Sequence, residues 1–136
     1  MTVEKMSYMK PRRAFKRLKA ADEENVTAYI YGVCGMGKTE LFIRYLGKRK
    51  YTLLDAGKIK QEDLKIERGQ QRKIVVIDNL HELSMEEEGE AVRQSIVAMI
   101  EREDIWLILC GRCAVAPWLT EVRYREVFYV IQESDL

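Results

Sequence analysis

Residues 32–39 read Gly32-Val33-Cys34-Gly35-Met36-Gly37-Lys38-Thr39, a complete G-x-x-x-x-G-K-[ST] phosphate-binding loop. No other stretch constrains the fold as strongly, because the pattern needs a strand before it and a helix after it. Both are present. Val26-Thr27-Ala28-Tyr29-Ile30-Tyr31 is rich in β-branched and aromatic residues and reads as a strand. From Thr39 on, Leu41, Phe42, Tyr45 and Leu46 fall on one helical face, and Gly47 follows as a C-cap ahead of Lys48, Arg49 and Lys50.

The pattern carries a mechanism. Its glycines let consecutive backbone N–H groups curl around a phosphate. Lys38 can reach β- and γ-phosphates, and the Thr39 hydroxyl can ligate Mg²⁺. The helix that follows points its positive end at the same anion. The nucleotide-contacting set is therefore Gly32, Val33, Cys34, Gly35, Met36, Gly37, Lys38, Thr39 and Glu40. No N-K-x-D guanine signature is present, which favours ATP or ADP with Mg²⁺ as the ligand.

Three further apolar runs follow. Tyr51-Thr52-Leu53-Leu54-Asp55 reads as a second strand, Lys73-Ile74-Val75-Val76-Ile77-Asp78 as a third, and Ile105-Trp106-Leu107-Ile108-Leu109-Cys110 as a fourth. The last two are continuous rather than alternating, as expected of strands buried on both faces of a parallel sheet. Glu126-Val127-Phe128-Tyr129-Val130-Ile131 reads as a fifth. Residues 58–71 suggest a short helix and loop. Ser84-Met85-Glu86-Glu87 has a capping-box pattern, Ser84 as N-cap and Glu87 at N3, for a helix whose face is Val92, Ile96, Met99 and Ile100. Strands alternating with helices give an α/β domain of 26–136 with a parallel sheet. With its phosphate-binding loop it looks like a P-loop NTPase of RecA/AAA-like type, which implies a five-stranded sheet in the order 5-1-4-3-2, flanked by helices.

Residues 1–25 form a separate basic segment with Lys10, Arg12, Arg13, Lys16, Arg17 and Lys19. Pro11 suits a first helical turn. Ala14, Phe15 and Leu18 give the helix a stripe with which to dock on the core. A sharper reading has this segment cover the nucleotide base or touch an anionic partner.

Asp78 closes its strand at the C-terminal end, where ligands gather in open α/β sheets. It reads as a Walker B aspartate holding the Mg²⁺ water shell with Thr39. Related ATPases place a second carboxylate next, to polarise the attacking water. Here that residue is Asn79, whose amide can orient water and cannot accept its proton. Glu82 and His81, just beyond, are the candidate substitutes, and slow or absent hydrolysis is the expectation. Arg112, after the fourth strand, reads either as a surface arginine or as a cation that reports the γ-phosphate. The catalytic candidates are thus Asp78, Arg112 and Glu82, with Thr39 and Asp78 at the metal.

The bulk composition excludes several classes. A net charge of +1 over 136 residues gives no case for direct nucleic-acid binding by this domain. No apolar run approaches a membrane span, and the first residues lack a signal peptide's apolar stretch. Three cysteines suggest reduced thiols and a cytoplasmic protein. Cys110-Gly111-Arg112-Cys113 spells C-x-x-C, but zinc needs further ligands, and only Cys34 and His81 remain. Cys110 reads as a small core hydrophobe.

The run Ile74-Val75-Val76-Ile77-Asp78-Asn79-Leu80-His81-Glu82-Leu83, then a helix, then Trp106-Leu107-Ile108-Leu109-Cys110-Gly111-Arg112, resembles the nucleotide-binding domain of signal-transduction ATPases with numerous domains (STAND). It looks most like bacterial LuxR-type transcriptional regulators related to the maltotriose-responsive activator. These show a strand ending in two acids, a His-x-Leu stretch and a later strand ending in Ser-Arg. Pro11-Arg12 before a short helix and Glu133-Ser134-Asp135-Leu136 also look like that family.

The resemblance implies that Gly37, Lys38 and Thr39 hold phosphates and Mg²⁺, that Asp78 is Walker B, and that Arg112 senses the γ-phosphate. Asn79 and Gly111 depart from the pattern. Such proteins continue into helical, winged-helix, sensor-repeat and DNA-binding regions, so a fragment of a longer protein is expected, with those C-terminal domains as partners. The function implied is a Mg-nucleotide switch in a transcription or signalling regulator. The alternatives are an active AAA+-type ATPase, a small-molecule kinase, or a degenerate scaffold that binds no nucleotide.

Overall fold

The computed structural model describes residues 12–31, 35–112, 118–119 and 128–131, and of residues 12, 35–40 and 128–130 the backbone alone. The elements are α1 (Arg12–Glu24), β1 (Thr27–Tyr31), α2 (Gly35–Leu46), β2 (Thr52–Asp55), β3 (Lys73–Asp78), α3 (Glu90–Ile100), β4 (Ile105–Gly111) and β5 (Phe128–Ile131). All strand pairs are parallel. β1, β4, β3 and β2 lie side by side in the order expected, and β5 pairs the free side of β1; residues 126 and 127 of the expected fifth strand lie outside the described residues.

The continuous apolar runs have their reason in the layers. Successive strand residues point to opposite faces, and here both faces are covered. Val75, Ile77, Ile105, Leu107, Leu109 and Tyr29 pack with Val92, Ile96 and Met99 of α3. Ile74, Val76, Trp106, Ile108, Cys110, Ala28 and Ile30 pack with Ala14, Leu18 and Ala21 of α1 and Leu41, Phe42 and Leu46 of α2. Cys110 is a fully buried member of this second cluster, the role its place in an apolar run suggested. Cys34 and Cys113 lie outside the described residues.

The helix ends follow backbone chemistry. α1 closes with Asn25 in the left-handed region at φ 54°. The Asn25 and Val26 amides donate to the Asp22 and Ala21 carbonyls, a Schellman closure. Gly47, at φ 57°, closes α2 by donating to the Ile43 carbonyl at 3.0 Å, the C-cap read from the sequence.

Two starts differ from expectation. α2 begins at Gly35, inside the glycine-rich segment, rather than at Thr39. α3 begins at Glu90, and Ser84 does not cap it. The Ser84 hydroxyl instead accepts the Glu86 amide at 3.1 Å, and residues 87–89 make a separate 3-10 turn. The Arg93 guanidinium holds the loop in that shape by donating to the carbonyls of Ser84 and Glu86. A side chain at Gly89 would collide with the Ser84 carbonyl. The short helix expected in 58–71 is one 3-10 turn, Gln61–Leu64, which buries Leu64.

At the N-terminal ends of the strands, Trp106 is fully buried and donates its indole N–H to the Val26 carbonyl at 2.9 Å. The guanidinium carbons of Arg72 and Arg49 stand 5.4 and 5.9 Å from its ring centre. Both arginines, and the Tyr45 hydroxyl, donate to the Asp22 carboxylate. Burial alone would raise the Asp22 pKa, but these three donors outweigh it and hold the value near 2. Burial and the neighbouring carboxylate together push Tyr45 up to about 12. One carboxylate thereby ties the end of α1 to the end of α2 and the start of β3.

Candidate functional site

The site lies at the opposite pole, where the C-terminal ends of the strands meet the N-terminus of α2. β1 stops at Tyr31 and α2 opens at Gly35. Gly32, Val33 and Cys34 fall outside the described residues. Gly35, Met36, Gly37, Lys38, Thr39 and Glu40 are described by backbone, and they form the first turns of the helix. The unpaired amides of a helix start, with the positive end of its dipole, therefore stand directly beyond β1.

Asp78 is the last residue of β3, one position beyond the Ile77–Leu109 pair that β3 makes with β4. One carboxylate oxygen, Oδ1, accepts the Asn79 amide at 2.8 Å. Asn79 itself sits in the left-handed region at φ 56°, ψ 40°, where the chain turns sharply off the sheet. The carboxylate is thus oriented by its own neighbour. An oriented oxygen donor at a strand tip suits Mg²⁺ or its water shell.

Leu80–Glu82 forms a 3-10 turn that buries Leu80. Glu82 leans toward β2. A Cβ placed on Gly57 would meet Glu82 Oε2 at 2.5 Å and Asp55 Oδ1 at 3.5 Å, so both carboxylates surround the turn that leaves β2. β2 is three strands from β1, roughly 14 Å at the usual strand spacing. His81 Nε2 lies 3.9 Å from Glu82 Oε1, while His81 Nδ1 is buried without a hydrogen-bond partner among the described residues.

β4 lies between β1 and β3, as expected, and places Gly111 level with Tyr31. Arg112 follows at once and is exposed. A Cβ at Gly111 would sit 3.5 Å from both Leu80 Cβ and the Tyr29 hydroxyl, ordinary contact distances. A Cβ there makes only ordinary van der Waals contacts.

The fold brings the helix start, Asp78 and Arg112 to one edge of the sheet and sets Glu82 toward the far side of it. Asp55 is the residue that reading the sequence missed. It ends the run Leu53-Leu54-Asp55 just as Asp78 ends its own, and that repeated pattern is the signal that could have found it. Among the described residues, no group of three or more His, Cys, Asp and Glu side chains forms a metal cluster. No described helix is long and apolar enough to cross a membrane.

No protein-family profile matches the chain, and no curated protein does. Solved structures do. Drosophila ORC bound to AT-rich DNA and Cdc6 superposes with a TM-score of 0.65 at 12% identity, over 90% of this chain and 53% of that one. The Holliday junction branch migration motor RuvB of Thermotoga maritima gives 0.55 at 20% identity, over 89% of this chain and 43% of that one. This chain spans about half the length of those neighbours. At such identities the likeness establishes the fold alone, a parallel α/β sheet covered by helices.

Proposed function

We propose that this chain is a Mg-ATP/ADP-binding core that works as a nucleotide-dependent switch in a signalling or transcription regulator, with slow or absent hydrolysis. The observation that carries the reading is the position of the Gly32–Thr39 pattern. It falls at the β1–α2 junction of a P-loop fold, with Asp78 and Arg112 at the tips of the two strands beyond. Lys38 and Thr39 hold the phosphates and the metal, Asp78 holds the metal's water shell, and Arg112 reads the γ-phosphate. Bound Mg²⁺ neutralises phosphate charge. The chain's own residues orient the ligand and distinguish ATP from ADP.

Slow turnover has two supports. Asn79 offers no carboxylate next to Asp78. Glu82, the nearest acid after it, is grouped with Asp55 at β2. The regulator context rests on the resemblance to STAND-class LuxR-type proteins. An active AAA+-type ATPase is the second reading, favoured by the likeness to RuvB and disfavoured by the same Asn79.

Calorimetry with Mg-ATP and Mg-ADP on the wild type and on Lys38→Ala tests the proposal. Micromolar binding that disappears in the variant supports it. Binding that survives Lys38→Ala rejects the phosphate loop as the site. A turnover well above ~1 per minute, lost in Glu82→Gln, moves the reading to an active ATPase.

A further inference from the structure

β2 and β3 part into a wedge at the pole opposite the phosphate loop. β3 begins at Lys73, but its pairing with β2 begins only at Val75, opposite Thr52. The Lys73 amide donates to the Asp104 carbonyl, on the β4 side. Successive amides of a strand point to opposite sides, so the Ile74 amide is turned the other way, into the wedge. No carbonyl among the described residues accepts it there. Ile74 is buried, and a buried amide without an acceptor is costly until a ligand or water meets it.

The charge around that amide is one-sided. Lys50, Thr52, Gln70, Gln71 and Lys73 line the same groove, which has a volume of about 680 Å³ and no acid in its lining. That size is ordinary for a small-molecule site. The carboxylates of Asp22 and Asp104 at this pole are engaged by Arg49 and Arg72 and by Arg102. Lys50 and Lys73 are exposed, and neither pairs with a carboxylate among the described residues. Lys73 Nζ donates to the Glu67 carbonyl at 2.9 Å, a contact that orients its charge without neutralising it.

We infer that this wedge is a binding site for a phosphate group, free or borne by a small molecule, and independent of the Gly32–Thr39 loop. Lys50 and Lys73 supply the charge, and the Ile74 amide supplies a directed hydrogen bond. Two cations suit one dianion. A nucleic-acid strand is held by cations strung along several phosphates, which this short groove does not provide. Thr52, Gln70 and Gln71 line the room left for the body of the ligand.

Amide NMR titrations of the 136-residue chain with inorganic phosphate and with ribose 5-phosphate, at constant ionic strength, test this. The Thr52, Gln71 and Ile74 amides should shift together, with a dissociation constant on the order of 0.1–1 mM. Lys50→Gln and Lys73→Gln should each weaken binding at least ~10-fold. Both side chains are exposed, so both variants should fold. Lys38→Ala, in the phosphate loop, should leave these shifts unchanged, whatever it does to nucleotide binding. Tighter binding of the ester supports the site and makes its ligand organic, and equal binding supports it with inorganic phosphate as the ligand. Amides that stay still up to about 10 mM, shifts that sodium chloride reproduces, or shifts lost in Lys38→Ala each overturn the inference. An oligonucleotide that binds ~100-fold tighter than either phosphate, and is released by Lys50→Gln, overturns it in favour of nucleic acid.

Discussion

Asp55 and Asp78 stand opposite each other in register, each the last residue of its strand, on adjacent parallel strands. They differ in what holds them. Asp55 Oδ1 accepts the Gly57 amide at 2.9 Å and shares its surroundings with Glu82. Asp78 is bound by Asn79 and sits one strand nearer the phosphate-loop strand. Two carboxylates that look alike in sequence are therefore expected to behave differently toward a metal.

The first expectation concerns that difference. Asp78→Ala should reduce the Mg²⁺-dependent gain in nucleotide affinity on the order of 10-fold, the range seen when groups orienting a metal shell are lost. Affinity without Mg²⁺ should change little. Asp55→Ala should leave the metal dependence nearly intact. Titrating ATP with and without Mg²⁺ on both variants reads this out, and an inverted result would assign the metal to β2.

Arg112 is exposed at the tip of β4, a position from which a guanidinium can turn toward a γ-phosphate. Arg112→Ala should weaken ATP roughly 10-fold or more, the scale of one charge-assisted hydrogen bond, and leave ADP within twofold. Equal losses for both nucleotides would make Arg112 a general anion contact instead.

Gly111→Ser should fold normally, because the added Cβ meets only ordinary contacts at 3.5 Å. Its thermal midpoint should stay within a few degrees of the wild type. A large fall would mean that the strand tip is packed more tightly than those contacts indicate.

Asp22 sets an acid limit on stability. Its ordinary value of 3.8 falls to about 2 in the folded chain, because the donors from Arg49, Arg72 and Tyr45 outweigh its burial. The folded state therefore holds this proton more weakly than the unfolded chain. Its contribution, about 2 kcal/mol, is fully present above the unfolded value and is lost as pH drops through about 2. Asp22→Asn should lower stability at neutral pH and flatten the decline between pH 4 and 2. Urea unfolding across that range measures both, and a parallel decline in the variant would rule Asp22 out as its source.

Trp106 is fully buried, donates to Val26 and carries two arginines near its ring. Trp106→Ala should cost about 3–5 kcal/mol, as large-to-small core changes do. Trp106→Phe should cost less, about 1–3 kcal/mol, for the orphaned Val26 carbonyl and lost volume. Denaturant melts of the pair separate the two contributions.

The parallel α/β class, the strand succession and the strand-to-helix passage around the glycine-rich segment were legible in the chain itself. A strand buried on both faces must be continuously apolar, as Ile74–Ile77 and Ile105–Cys110 are, and a phosphate loop is a local backbone device with a local spelling. The αL closure at Gly47 was legible for the same reason. What tertiary structure alone decided is long-range. Ser84 has a capping spelling, yet Arg93 and the close approach at Gly89 draw its hydroxyl into a different turn. Glu82 reads as a neighbour of Asp78, yet the 3-10 turn carries it to Asp55. Asp22, Arg49, Arg72 and Trp106 carry no shared motif and meet only because α1 and α2 end, and β3 and β4 begin, at the same pole. Local sequence sets periodicity and turn chemistry, whereas side chains far apart in the chain find their partners only once the layers have packed.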